Sequence, residues 1–347
     1  MNSVLQTFTE VPKKGVSFKG PLFIIGMPRS GTKLIRDILN RHPNIGIPVI
    51  ESHFIPYMIR KFGNPPNLAP EGEFDRFYGE FSNTSFFWDA QALGKSIPKE
   101  YLRKRVDLSS WSSILETILR FYSPKKETDG FIWGDKTPGY LNHMKLLKKL
   151  FPQARFLHII RDPRDYALSV KKTWGKSLYR AADTWRYTIQ SAKSVGQKIG
   201  EDYQEVHYEE LITKPEEVLL EICKFLECEF TPAMLTLDQP AEDYGDTRGS
   251  QEIVSNNLGK YKNELNSMII KRIEEIVYPI AKLLGYTLHC ACRHKPLNPI
   301  HLKILNLYDG WASVNFHIHE RGMILGLMYF IHHHKTSSWR VEEDNSF

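Results

Sequence analysis

Cysteine is scarce in this chain. Only Cys223, Cys228, Cys290 and Cys292 occur among 347 residues, too few for a disulfide framework, and a reducing compartment is the natural expectation. Nor is a metal framework spelled out. Cys290-Ala291-Cys292-Arg293-His294 has no second ligand pair at a zinc-like spacing, and His317, His319, His332, His333 and His334 read as surface histidines. Long apolar runs are missing too. Met1 to Gly20 has no uninterrupted apolar stretch behind a basic start, so neither a secretory signal nor a signal anchor is expected. Met323 to Ile331 is less than half of what a membrane crossing needs, and reads as a buried or surface-docked helix. A cytoplasmic location follows as the expectation, with peripheral contact to a membrane as the alternative. Charge of one sign is also lacking. The 46 Lys and Arg against 40 Asp and Glu give a formal +6 spread along the chain, with no basic tail to imply nucleic acid. No internal repeat is visible.

What is present is a globular composition, 41% hydrophobic and 25% charged, large enough for a substantial core. Leu22-Phe23-Ile24-Ile25 is a compact apolar run closed by Gly26 and Pro28, as expected of a strand buried on both faces. From Gly31 the apolar positions Leu34, Ile35, Ile38 and Leu39 recur at helical spacing until His42-Pro43. A second unit follows: Leu141, Met144, Leu147 and Leu150 mark a helix face, and Phe156 to Ile160 reads as another buried strand with Arg161 at its end. Helices are expected to about Trp174 and through Trp185 to Ile199, then a strand at Glu205 to Tyr208 and a helix through Val218 and Leu226. A late helix carries Ile269 to Leu284. Strands alternating with helices predict an α/β fold with a doubly wound parallel sheet. Between the two units, about 51–130 shows no strand pattern and reads as a mainly helical insertion crowded with aromatics. It is either a packed subdomain or a lid over a ligand site.

Gly26-Met27-Pro28-Arg29-Ser30-Gly31-Thr32-Lys33 follows the first strand and opens a helix, where backbone amides and the helix dipole gather around phosphate. The pattern of nucleotide triphosphatases places Lys before Ser or Thr after the second glycine. Here Thr32 precedes Lys33, and a cation, Arg29, comes two residues before Gly31. Magnesium also lacks a second holder, since Arg161 stands directly before Asp162.

Pro28-Arg29-Ser30-Gly31-Thr32 resembles the 5′-phosphosulfate loop of the sulfotransferase superfamily, which has a P-loop type fold, and is most similar to its protein-tyrosine, heparan-sulfate and bacterial branches. Arg161 with Ser169, two helical turns later, is similar to that superfamily's 3′-phosphate site. The likeness spans about Leu22 to Tyr286. It implies a domain over 1–290 with an extension of unknown role over 291–347, and 3′-phosphoadenosine 5′-phosphosulfate as co-substrate with no metal required. Arg29, Ser30, Gly31, Thr32, Lys33, Arg161 and Ser169 would hold the donor. Tyr208 resembles the aromatic near the adenine. Lys260, in Leu258-Gly259-Lys260-Tyr261, resembles a late segment facing donor and acceptor, although Tyr261 stands where Trp is usual.

Sulfuryl transfer needs a base for the acceptor, cations for the charge on the leaving phosphate, and an in-line arrangement. Glu51 resembles the superfamily's catalytic glutamate, with His53 as a competing base. Lys136, in Asp135-Lys136-Thr137-Pro138 at an expected helix start, resembles the lysine that approaches the bridging oxygen, and would share that task with Arg29. The acceptor, a hydroxyl or amine on a glycan, lipid, tyrosine or small alcohol, has no recognisable code. Two rivals stand beside this reading: a P-loop kinase, which the order Thr32-Lys33 opposes, and an inert nucleotide-binding module, which Glu51 and Lys136 oppose.

Overall fold

The computed structural model describes residues 17–125, 131–240 and 247–336, with only the backbone of 332–336. Most of the N-terminal segment read for a signal, residues 1–16, and the side chains of His332, His333 and His334 lie outside that description. Strand β1 (Leu22–Gly26), helix α1 (Thr32–Asn40) and the two-residue strand β2 (Ile45–Gly46) come first. Helices α2 (Ile55–Phe62), α3 (Glu73–Ser82), α4 (Ser85–Ala92), α5 (Lys99–Arg105) and α6 (Trp111–Tyr122) form the insertion. Then follow β3 (Ile132–Lys136), α7 (Met144–Leu150), β4 (Arg155–Ile160), α8 (Pro163–Trp174), α9 (Leu178–Ile199) and β5 (Tyr203–His207). Helices α10 (Tyr208–Thr213), α11 (Pro215–Phe225), α12 (Tyr261–Glu264), α13 (Ser267–Leu283), α14 (Pro299–Arg321) and α15 (Met323–Thr336) complete the described chain.

The five strands form one sheet in the order β2-β3-β1-β4-β5, and every pairing is parallel. β1 is central, with Leu22 beside Gly134 of β3 on one side and Arg155 of β4 on the other. Its side chains alternate faces, as a pleated strand must. Phe23 and Ile25 join the core that includes α7, α9, α13 and the insertion, whereas Leu22 and Ile24 join the core of α1, α10 and α11. Burial on both faces is what the unbroken apolar run demanded.

Two strands were not expected from the sequence. β3 carries Gly134 and Asp135-Lys136 instead of an apolar run, so Lys136 ends a buried strand and does not open a helix. Gly134 is there because the chain comes close: a Cβ would sit 2.1 Å from the Leu22 carbonyl oxygen. β2 is too short to leave a periodic signal. Tyr208, expected to end a strand, is the first residue of α10. In the insertion, Phe74, Phe77, Phe81 and Phe86 are fully buried, and Phe54 and Phe81 pack edge to face at 5.2 Å. Those aromatics belong to the same core as Phe23 and Ile25, each contributing about 1.5–3 kcal/mol of burial.

Candidate active site

The carboxyl edge of β1, β3 and β4 is where an open parallel sheet binds ligands, and each of these neighbouring strands delivers a cation there. Arg29 lies in the loop after β1, Lys136 ends β3, and Arg161 follows β4 directly.

The loop between β1 and α1 is shaped by two left-handed residues, Arg29 (φ 70°) and Gly31 (φ 92°). Gly31 is doubly constrained, since a Cβ would also meet the Tyr208 ring at 2.4 Å. Arg29 Nε donates to Ser169 Oγ at 3.4 Å, and an Arg161 terminal nitrogen donates to the Arg29 carbonyl at 2.9 Å. The Arg161 guanidinium lies over the Tyr208 ring at 4.6 Å. Asn257 Nδ2 donates to the Tyr208 hydroxyl at 2.7 Å, which fixes the ring. Arg29, Gly31, Arg161, Ser169, Tyr208 and Lys260 line one cleft, which opens to solvent.

Three buried polar atoms at this cleft and its loop have no hydrogen-bond partner among the described residues: Ser30 Oγ, Arg161 Nε and Thr173 Oγ1. Leaving such groups unsatisfied costs about 1–3 kcal/mol each, so they fit a ligand rich in acceptor oxygens. Thr32 is buried as the first residue of α1. Lys33 does not line the cleft, and its charge acts instead on Lys136.

The second cluster is Glu51, His53 and Lys136. Lys136 is fully buried, against the expectation of a loop lysine, and its ammonium donates to Glu51 Oε1. The other carboxylate oxygen of Glu51 meets His53 Nε2 at 2.9 Å. Burial favours the neutral form of Glu51, but Lys136 and His53 together outweigh it and hold the carboxyl below its ordinary range. Burial pulls the Lys136 pKa down, Glu51 opposes that, and Arg36 and Lys33 add to it. Glu51 keeps 29% of its side chain exposed while Lys136 keeps none, so the carboxylate covers the ammonium.

The turn bearing Glu51 and His53 is locked to the end of β3. Ser52 donates to the Asp135 carboxylate, its amide donates to Thr137 Oγ1 at 2.9 Å, and its hydroxyl meets Tyr140 at 2.5 Å. Thr137 also donates to Asp135 at 2.7 Å. Burial pushes the Asp135 carboxyl up to about 6, although Ser52 and Thr137 act against it. His53 itself is left-handed at φ 46°, so two of the three non-glycine residues of positive φ among those described, Arg29 and His53, are in the candidate site.

Sequence reasoning missed several supporting residues. Asp165 accepts from the amides of Gly259 at 2.5 Å and Tyr261 at 3.0 Å, which pins the Lys260 segment to α8. Asn257 orients Tyr208, and Trp185 Nε1 donates to the Arg161 carbonyl at 3.1 Å. The Asp162-Pro163-Arg164-Asp165 run was the available signal, but a helix start accounts for it without any ligand. Among the described residues no group of three or more His, Cys, Asp or Glu stands together as metal ligands would.

Residues 21–232 match the profile of the sulfotransferase family. The chain is 26% identical over 283 residues to a protein-tyrosine sulfotransferase of Drosophila melanogaster, covering 76% of this chain and 51% of that one. It is 24% identical over 231 residues to an uncharacterized protein of Aquifex aeolicus (strain VF5), covering 62% and 26% respectively. The chain therefore spans about a quarter to half the length of these two relatives. The sulfotransferase domain of the Synechococcus PCC 7002 olefin synthase has the same fold, with a TM-score of 0.52, 22% identity, and coverage of 77% of this chain and 95% of that domain.

Proposed function

The chain belongs to the sulfotransferase family, whose profile covers more than half of it, and from that premise we propose that it transfers a sulfuryl group from 3′-phosphoadenosine 5′-phosphosulfate to a hydroxyl or amine. The observation that carries the reading is the row of three cations, one at the carboxyl end of each of three adjacent parallel strands. A donor with phosphate at both ends needs a cationic cradle per end, and the row offers both.

In this reading the loop of Arg29, Ser30, Gly31 and Thr32 takes the 5′-phosphosulfate, and Arg161 with Ser169 takes the 3′-phosphate. Tyr208 flanks the adenine, and Lys260 approaches across the cleft. Lys136, with Lys33 nearby, meets the oxygen that bridges sulfur and phosphorus. Binding of that oxygen gives Lys136 a new anionic partner and releases Glu51 from it. Freed of its neighbour, the Glu51 carboxyl rises toward the ordinary range and can accept the acceptor's proton. The acceptor oxygen or nitrogen then forms its bond to sulfur as the bond from sulfur to the phosphate oxygen breaks, and the electron pair stays on phosphate beside Lys136 and Arg29. His53 holds Glu51 and is the alternative base. Residues 1–290 make up the catalytic domain and 291–347 an extension of it.

The Drosophila relative's name points to tyrosine as one acceptor class, beside glycans, lipids and small alcohols. The test is calorimetry with 3′-phosphoadenosine 5′-phosphate in excess chelator, where tight binding is expected. Binding of adenosine triphosphate with magnesium, and none of the bisphosphate, would move the protein to the kinases.

A further inference from the structure

Helix α11 ends in a turn that brings two of the four cysteines face to face. Its last residues close in two hydrogen bonds: the Cys228 amide donates to the Cys223 carbonyl at 3.0 Å, and the Glu227 amide donates to the Lys224 carbonyl at 3.1 Å. Glu227 between them is left-handed at φ 55°. These are the features of a Schellman end, in which the side chains of the first and last residues of the turn meet. Here those two residues are Cys223 and Cys228. Their thiols are hydrogen-bonded to each other. A disulfide joins Cα atoms about 4.4–6.8 Å apart, within reach of a six-residue turn closed by such a bond. The turn is also held from outside. Arg155 of β4 donates to the Phe225 carbonyl at 2.5 Å and pairs with Glu227, while Leu226 is fully buried.

We propose that Cys223 and Cys228 form a reversible dithiol-disulfide site that is oxidised by low-molecular-weight disulfides such as oxidised glutathione. Two apolar side chains would fill this contact equally well, and what a pair of thiols adds is a bond. The sulfurs have unequal access. Cys223 is 2% exposed and its Sγ meets the Met234 sulfur at 3.9 Å on the inner side, whereas Cys228 is half-buried and reaches solvent. The pair loses its first proton more readily than an ordinary thiol, because the remaining S–H donates to the thiolate. Cys228 attacks one sulfur of oxidised glutathione, forming a mixed disulfide and releasing one glutathione. Cys223 then attacks the Cys228 sulfur, which closes the bond and expels the second glutathione. Two electrons pass from the pair to the oxidant, and the two thiol protons end on the two glutathiones. Cys290 and Cys292 are exposed thiols outside this turn. This inference does not depend on the sulfuryl-transfer reading.

The full chain is equilibrated with graded ratios of oxidised to reduced glutathione, quenched in acid, alkylated under denaturing conditions and mapped by mass spectrometry. A Cys223–Cys228 link, two hydrogens lighter than the dithiol, is expected in the folded chain at about tenfold less oxidised glutathione than in the chain unfolded in urea. In Cys228→Ser, with an unchanged near-ultraviolet circular dichroism spectrum, Cys223 should be recovered fully alkylated. The proposal is overturned if both cysteines remain alkylatable at ratios where the exposed Cys290 and Cys292 have already reacted. It falls equally if the reaction stops with glutathione on Cys228, or if folded and unfolded chains form the link alike, since the turn would then not preset the pair. Oxidation of Cys223 in Cys228→Ser would also sink it, because Cys223 would be reacting without its partner.

Discussion

At the scale of single residues, the site turns on one carboxylate shared by two nitrogens. Glu51 touches both Lys136 and His53, and its position is fixed by Ser52 pinned to Asp135 and Thr137. Glu51→Gln keeps the shape and removes the base, so turnover should fall by about 10²–10⁴-fold while affinity for 3′-phosphoadenosine 5′-phosphate changes little. His53→Gln should be milder, and steady-state kinetics of both at matched stability check the assignment. Near-normal turnover in Glu51→Gln with loss in His53→Gln would transfer the base to His53. Arg161 offers an independent check, because its Nε has no partner among the described residues and its neighbour Ser169 also meets Arg29. Arg161→Ala should weaken 3′-phosphoadenosine 5′-phosphate by about tenfold to a hundredfold. Adenosine 5′-phosphosulfate, which lacks the 3′-phosphate, should lose little, and equal losses would make Arg161 a structural residue.

Elements matter because the site's parts lie on segments far apart in the chain. α8 starts at Pro163 behind the cap Asp162, and its Asp165 holds two amides of the 259–261 segment. Asp165→Asn replaces a charged acceptor of two bonds by a neutral one, and each such bond is worth about 1.5–3 kcal/mol. Lys260 should then lose its fixed approach to the cleft, raising the Kd for the bisphosphate about tenfold, with circular dichroism unchanged. An unaltered Kd would show that the segment is held in place otherwise. The loop before α1 is equally specific: Gly31→Ala would strain a backbone at φ 92° and drive a methyl into Tyr208.

For the molecule as a whole, the sheet that carries the site also carries a titrating group in its core. His158, in the middle of β4, is fully buried, meets the Tyr203 hydroxyl at 2.6 Å through Nδ1, and has no partner at Nε2 among the described residues. Burial pulls its pKa down from 6.5 to about 4. The unfolded chain therefore binds the proton more readily, so stability present above about 6.5 is lost as pH falls toward about 4, at up to about 1.4 kcal/mol per pH unit. His158→Asn removes that titration, and the difference between urea midpoints near pH 5 and near pH 7 should shrink relative to the wild type. An unchanged difference would place the acid sensitivity on other groups. The sequence by itself determined the doubly wound sheet and the loop at 26–33, because strand, glycine turn and helix periodicity are local signals that adjacent residues express together. It also located Arg161 at the end of an apolar run, for the same reason. Only the tertiary structure decided that Lys136 ends a buried strand under Glu51, since β3 is held by pairing with β1 and its own residues lack the apolar pattern. Asp165, Asn257 and the facing thiols of Cys223 and Cys228 were likewise invisible, because what a side chain meets across a turn or a cleft depends on where the backbone brings its partner.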